Sequence, residues 1–123
     1  MLKSLIKVLC VLFCIALVFS CEKVTLEFPE IELPDSLSFS LDIIPIFEEK
    51  CISCHAGNIS PNLSAVIAYD NLITGGYVSQ DTTITPAESS LLYQKLKGSH
   101  DDRATQIDKA KILEWIKQGA KDN

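Results

Sequence analysis

The residues best suited to chemistry in this 123-residue chain are five consecutive ones, Cys51-Ile52-Ser53-Cys54-His55. Residues three apart on a helical turn lie on the same face, about 5–6 Å from each other. Two thiols at that spacing can both form thioethers with one porphyrin, and the histidine that follows can turn its imidazole towards the iron. The spacing therefore predicts one covalent haem c, held by Cys51 and Cys54, with His55 as an iron ligand.

Two other kinds of site use cysteine pairs with this spacing. A thioredoxin-like redox dithiol is expected near a βαβ pattern, and this sequence has no such pattern. A structural zinc site takes four ligands, and the sequence beyond residue 21 has just four cysteines and histidines, Cys51, Cys54, His55 and His100, so all of them would have to meet at one ion. Haem attachment is the interpretation that the residues favour, with the dithiol and the zinc site as its alternatives.

The first 20 residues have the pattern of an export signal. Lys3 and Lys7 precede an unbroken apolar run from Val8 to Phe19. A membrane-spanning helix needs about 20 apolar residues, and this run is shorter and is followed at once by polar sequence. We therefore expect a cleaved signal rather than an uncleaved transmembrane anchor.

Residues 18–21, with the sequence VFSC, resemble the lipobox of bacterial lipoproteins, with valine in place of the usual leucine. The resemblance implies that Cys21 becomes the acylated first residue of the mature chain. Its acyl chains would anchor the protein to a membrane of the bacterial cell envelope, on the periplasmic or outer-membrane side. The two cysteines of the signal would leave with it, so only the pair in the CISCH segment keeps free thiols.

The charge of the mature chain bears on its partners. Removal of the signal would take two of the 11 basic residues and none of the 16 acidic ones, which leaves 9 against 16 and a net charge of −7. Such an acidic chain is not expected to bind nucleic acid. It suits a redox partner with a basic docking surface.

Composition divides the mature chain into a tether and one small domain. Residues 21–40 are acidic and contain Pro29 and Pro34, a composition typical of an extended spacer. Residues 41–123 carry helical patterns and the CISCH segment. We expect an acidic, lipidated tether followed by a single haem domain that starts near Leu41.

Four helices are predicted in the domain, and its fold class is therefore all-α. The first runs from about Ile43 into Cys51, the second covers Ser64–Ile73, the third follows the capping sequence Thr85-Pro86-Ala87-Glu88 and ends at Gly98, and the fourth covers Thr105–Gln118. Residues 77–84 are expected to form a loop or a short strand. On the last helix, Ile112, Trp115 and Ile116 share one face, which predicts a buried face.

From Ile43 onwards the chain resembles the small monohaem cytochrome c domains of bacterial lipoproteins and multidomain enzymes. The stretches that carry the resemblance are PIFEEKCISCHAG, SPNL, PAESSLLYQKLKG and ILEWIKQGAKDN, of which only the first is specific by itself. The resemblance implies a cytochrome c-like domain of about four helices wrapped around one covalent haem. It also implies that the first and last helices cross, with Phe47 and Trp115 as core partners.

In such cytochromes a proline carbonyl after the attachment motif accepts a hydrogen bond from the haem-ligating imidazole. Pro61 is the matching residue in this chain. The hydrogen bond would fix the tautomer of His55. The alternative role for Pro61 is a simple turn before the second helix.

The chain departs from that family on the other side of the iron. Most members supply a methionine between the last two helices, but the single methionine here is Met1, which would leave with the signal. His100 is the only histidine besides His55 and lies where the family has its methionine. We therefore expect bis-histidine ligation by His55 and His100 and a lower redox potential than in His/Met relatives. The alternatives are an open iron with His100 in solvent, or a lysine ligand such as Lys97.

The expected function follows from the filled axial positions. An iron shielded on both sides is left with outer-sphere electron transfer, so we expect a membrane-anchored cytochrome that transfers single electrons between redox partners outside the cytoplasm. The sequence has no second metal cluster, nucleophile arrangement or cofactor motif, and an independent enzyme is not expected. The alternative is a haem-based ligand-binding or sensor module with an open or labile sixth position.

Overall fold

The computed structural model describes Met1 and residues 32–123, and all regular structure within them is helical. This confirms the predicted all-α class, and residues 77–84 form a loop. The five α-helices are α1 (Ile44–Lys50), α2 (Ile52–His55), α3 (Ala68–Thr74), α4 (Leu91–Lys97) and α5 (Gln106–Lys117). A π-helical turn over Phe39–Ile43 leads directly into α1, and a 3₁₀ turn over Ala87–Ser89 precedes α4.

The predicted signal, the lipidation site Cys21 and the first half of the predicted tether lie outside the described residues. Among the residues that the structure describes, no helix is both long enough and apolar enough to cross a bilayer. The longest helix there is α5, with 12 residues.

The packed domain begins before the predicted start at Leu41. Leu37 and Phe39 are 2% and 3% exposed and belong to the hydrophobic core. Their backbone amides donate hydrogen bonds to side-chain oxygens of Gln118, at 2.9 Å, and Asn123, at 2.8 Å. Ser38 between them has an extended backbone, which places the two apolar side chains on one face. Two core residues therefore stand inside the acidic segment that the sequence assigned to a tether.

Aromatic rings form the centre of the core. Both predicted core residues, Phe47 and Trp115, are buried, and each packs against Phe39. The ring centroid of Phe39 lies 6.3 Å from Phe47, 5.1 Å from Trp115 and 5.3 Å from Tyr69. The Phe47 and Tyr69 contacts have the edge-on geometry that aromatic quadrupoles favour. This cluster joins the first and last helices of the domain.

Helix α4 begins later than the sequence predicted. The sequence Thr85-Pro86-Ala87-Glu88 indicated a helix start, but the residues after it form only the short 3₁₀ turn. Ser90 then adopts an extended conformation, with ψ of 141°, which interrupts the helical path. Its hydroxyl accepts a hydrogen bond from the backbone amide of Tyr93, at 3.4 Å, and so caps α4 in place of Thr85.

Helix α3 is also shorter than the predicted Ser64–Ile73. The backbone of Ile67, with φ −127° and ψ −3°, lies outside the helical region, and the helix begins at the next residue. The residues before it form a turn in which the carbonyl of Ser64 accepts hydrogen bonds from Ile67 and Ala68. This turn occupies the residues that the sequence predicted as the start of the helix.

Helix α5 agrees with the sequence. Its predicted face, formed by Ile112, Trp115 and Ile116, is fully buried. At its start the hydroxyl of Thr105 accepts from the amide of Asp108, while the carboxylate of Asp108 accepts from the amide of Thr105. This capping box fixes the point at which the preceding loop ends.

Replacing Phe39 tests where the domain begins. Phe39→Ala removes the ring that three other aromatic side chains contact, and we expect the free energy of unfolding to fall by about 3–5 kcal/mol. Leu41→Ala is the matched control, because Leu41 is 78% exposed and its loss should change stability by less than about 0.5 kcal/mol. Chemical denaturation of both variants gives the comparison. Equal stabilities would contradict the placement of Phe39 in the core.

Candidate functional site

One helical turn carries the residues of the predicted attachment segment. Cys51 lies at the junction of α1 and α2, and its carbonyl accepts hydrogen bonds from the amides of Cys54, at 3.1 Å, and His55, at 3.0 Å. The two thiols and the imidazole are thus presented by a single turn of backbone. Both cysteines are free thiols.

The two thiols differ in environment. Cys54 is exposed, whereas Cys51 is half-buried and packs against the hydrophobic core. Burial raises the pKa of the Cys51 thiol, and the negative charge of Asp108 raises it further. A raised pKa keeps the thiol protonated and weakly nucleophilic, whereas the attacking cysteine of a redox dithiol has a lowered pKa. The environment of Cys51 therefore does not favour the dithiol alternative.

The imidazole of His55 is fixed by the loop that follows it. Its Nδ1 donates a hydrogen bond to the carbonyl oxygen of Pro61, at 3.0 Å, and lies 3.3 Å from the carbonyl oxygen of Ile59. The amide of Leu63 donates to the carbonyl of His55, at 2.8 Å, and so closes the loop. With its proton on Nδ1, the ring presents the lone pair of Nε2 to a metal. Pro61 thus makes the contact that the resemblance implied.

The same loop is attached to α3 by two asparagines. The side-chain amide of Asn71 donates to the carbonyl of Asn62, at 2.9 Å, and the side-chain oxygen of Asn62 accepts from the amide of Ser64, at 2.9 Å. Gly57 has a φ of +115°, and a Cβ there would lie 3.2 Å from the Asn62 side chain. Sequence reasoning singled out neither asparagine, although Asn62 is part of the SPNL turn that it noted.

His100 lies in the loop between α4 and α5. Its amide donates to the carbonyl of Lys95, at 2.9 Å, so the loop continues directly from the last turn of α4. Its carbonyl accepts from the amide of Arg103, at 3.0 Å. The imidazole is half-buried, and its Nδ1 pairs with the hydroxyl of Ser99 at 2.9 Å. The alternative ligand, Lys97, instead places its ammonium 5.7 Å above the ring of Tyr93.

The fold brings the two histidine rings close to each other, although they are 45 residues apart in the chain. The centroids of their rings are 6.2 Å apart, with an angle of 44° between the ring planes. Nδ1 of each ring is engaged in a hydrogen bond, and Nε2 of neither ring has a partner among residues 32–123. Within the described residues, Nε2 of each ring therefore has no competing hydrogen bond.

The separation of the rings suits one metal ion between them. An imidazole nitrogen binds a metal at about 2.0 Å, so two imidazoles on opposite sides of one ion have centroids about 6 Å apart. Across the described part of the chain, no group of three or more His, Cys, Asp or Glu side chains forms a metal site. Two imidazoles are the donor set that a bis-histidine haem iron takes from protein. The donor types and the centroid distance of 6.2 Å are compatible with that set.

Of the predicted site residues, five lie together in this region of the structure. They are Cys51, Cys54, His55, Pro61 and His100, and the sixth, Cys21, is outside the described residues. In comparisons with family models, curated proteins and solved structures, this chain has no match. The resemblance to cytochromes c therefore depends on the motifs named from the sequence.

The unequal environments of the thiols predict unequal reactivity before haem attachment. Because burial raises its pKa, Cys51 should be alkylated several-fold more slowly than Cys54, and its rate should continue to rise at more alkaline pH. Iodoacetamide modification of the Cys54→Ala and Cys51→Ala variants, followed by mass spectrometry between about pH 7 and 10, measures each thiol separately. Faster modification of Cys51 than of Cys54 would contradict the burial of Cys51.

Proposed function

We propose that this protein is a monohaem c-type cytochrome that transfers single electrons between redox partners. The observation that carries the proposal is the close approach of two imidazoles, those of His55 and His100, at a centroid distance of 6.2 Å. One of the pair directly follows two cysteines on the same helical turn. Local spacing and a long-range contact thus support the same cofactor.

Each of the four residues has its own role in holding haem. The thiols of Cys51 and Cys54 would hold the porphyrin by adding across its two vinyl groups, and each addition would break one S–H bond and one C=C π bond and form one C–S bond and one C–H bond. His55 and His100 would supply the iron with two imidazole ligands, each through Nε2. Haem, when bound, supplies an iron that accepts and releases one electron. We propose that the helices and loops of the domain enclose it as in small cytochromes c.

The hydrogen bond from His55 to Pro61 tunes the proposed centre. A carbonyl that accepts the Nδ1 proton holds the ring in one tautomer and makes Nε2 a stronger donor. Two imidazole ligands also lack the effect by which methionine raises a haem potential. The chain's own residues therefore favour a potential below that of His/Met cytochromes c.

Anchoring and charge complete the proposal. We place the mature protein in the bacterial cell envelope, attached by lipid at Cys21, with electron exchange outside the cytoplasm. The whole chain has a formal charge of −5, and the mature chain, without the two lysines of the signal, would have −7. Such a charge favours docking to a basic redox partner and disfavours nucleic acid.

Substitution of His100 tests the sixth ligand. In the protein matured with a haem-attachment system, we expect a low-spin absorption spectrum that becomes high-spin in His100→Ala, because no other imidazole faces His55 in the described structure. Lys97→Ala is the matched control and should leave the spectrum unchanged. A wild-type spectrum that is high-spin and unaffected by His100→Ala would contradict bis-histidine ligation and favour a sensor with an open sixth position.

Replacement of His100 by methionine tests the expected potential. His100→Met places a thioether where His/Met cytochromes carry one, and we expect the midpoint potential to rise. Redox titration followed by absorbance measures the change. A wild-type potential already as high as that of His/Met cytochromes c would contradict the proposed ligand set.

The ionic-strength dependence of electron transfer tests the proposed docking. The rate of reduction by a basic redox protein should fall as salt is added, because salt screens the attraction between opposite charges beyond about 10 Å at 0.1 M. An acidic redox protein of similar potential is the control and should show the opposite trend. Stopped-flow rates that do not change with salt would contradict electrostatic docking.

A further inference from the structure

Lys109 is a buried charge in an unfavourable place. Its side chain is only 5% exposed, and it is the one charged residue buried in the described part of the chain. It also belongs to the first turns of α5, where the helix dipole disfavours positive charge. Burial of an ammonium group near a helix N-terminus is costly unless strong acceptors compensate for it. The groups that accept hydrogen bonds from Lys109 therefore indicate its structural role.

Both acceptors belong to Asp101, the residue that follows His100. The ammonium nitrogen of Lys109 donates to the backbone carbonyl of Asp101, at 2.7 Å, and to its carboxylate. The carboxylate is 66% exposed, so solvent weakens the ionic part of the contact. The bond to the carbonyl instead fixes the backbone itself, one peptide unit from His100.

We infer that Lys109 is a positioning residue that holds His100 against His55 by anchoring the backbone of the intervening loop to α5. This inference rests on the proposed function, because His100 is taken as the sixth ligand. The amide of His100 ties the loop to α4 through Lys95, and Lys109 ties the next residue to α5. The loop is thus held from both of its flanking helices.

The anchor determines how readily His100 leaves its place. An external ligand can reach a bis-histidine centre only while His100 is detached, so the rate of ligand binding reports the fraction of detached loop. Loss of the Lys109 anchor raises that fraction without removing the imidazole. The residue thereby keeps the sixth position closed, as an electron-transfer protein requires.

Cyanide binding to the ferric, haem-loaded protein measures this effect. We expect cyanide to bind about 10-fold faster to Lys109→Met than to wild type, a factor equivalent to about 1.4 kcal/mol. Asp101→Asn keeps the carbonyl acceptor and loses only an exposed charge, so its rate should stay within about threefold of wild type. Lys111→Met is the matched control, because Lys111 lies on the same helix and its ammonium is 4.0 Å from Asp42.

The possible results distinguish a failure of the role of Lys109 from a failure of the proposed function. Equal cyanide rates in wild type and Lys109→Met, with both proteins low-spin, would overturn the role of Lys109 and leave the proposed function intact. A rate for Asp101→Asn as high as that for Lys109→Met would overturn the assignment of the anchor to the backbone carbonyl. A high-spin wild-type protein would overturn the proposed function together with this inference.

A control for folding keeps the result interpretable. Circular dichroism of Lys109→Met should retain the helical signal of wild type, and any high-spin fraction should return to low-spin when imidazole is added. Restoration by imidazole shows a vacated sixth position in a folded domain. A high-spin fraction that imidazole does not restore would count against the inference, because the loss would then extend beyond the position of His100.

Discussion

The proposed centre depends on one constraint, which is that two imidazoles from distant parts of the chain come as close to each other as two ligands of a single ion must. His55 comes from a turn at the end of the first helical segment, and His100 comes from the loop before the last helix. Their ring centroids are 6.2 Å apart. Such a separation is set by tertiary packing, because neither local segment determines the position of the other. The aromatic cluster around Phe39 joins the first and last helices and so contributes to this packing.

The two imidazoles are held by different means. On one side, His55 donates to the carbonyl of Pro61, and the loop between them is attached to α3 through Asn71. On the other side, His100 lies in a loop tied to α4 by its own amide and to α5 by Lys109. The first arrangement uses neutral hydrogen bonds within a closed loop, whereas the second uses a buried ammonium group. The position of the His100 loop therefore depends more strongly on a single side chain, that of Lys109, than the position of the His55 loop depends on any one side chain.

The features that could be predicted from sequence are those with a local cause. The spacing of Cys51, Cys54 and His55 fixes their common helical turn, and the spacing of apolar residues fixes the buried face of α5. The structure bears out both, together with the all-α class. Ser90, and not the predicted Thr85, caps α4, because the backbone leaves the helical path at Ser90 after the short 3₁₀ turn.

Other features could not be predicted because they arise only in the folded chain. Leu37 and Phe39 lie between serines in a segment that the acidic residues around it make typical of a spacer, and the sequence does not show that these two side chains join the core. From the sequence, Lys109 looks like an ordinary exposed lysine on a helix. Its burial depends on the contact with Asp101, which forms only in the folded chain. The closeness of the two histidine rings likewise arises only in the folded chain. The sequence points to His100 because it is the only histidine besides His55 and lies where the cytochromes that the chain resembles have their methionine. Its distance from His55 is a property of the fold.

The proposed function requires that a single haem is bonded to Cys51 and Cys54. The direct measurement is the intact mass of the protein, matured with a haem-attachment system and then denatured and extracted to remove any cofactor that is not covalently bound. We predict a mass that exceeds that of the chain, with its Cys21 lipid, by one haem, and loss of that increment in the Cys51→Ala, Cys54→Ala double variant. A mass equal to the chain alone, or to the chain less two hydrogens, would contradict the account, and the latter would identify a disulfide between the two cysteines.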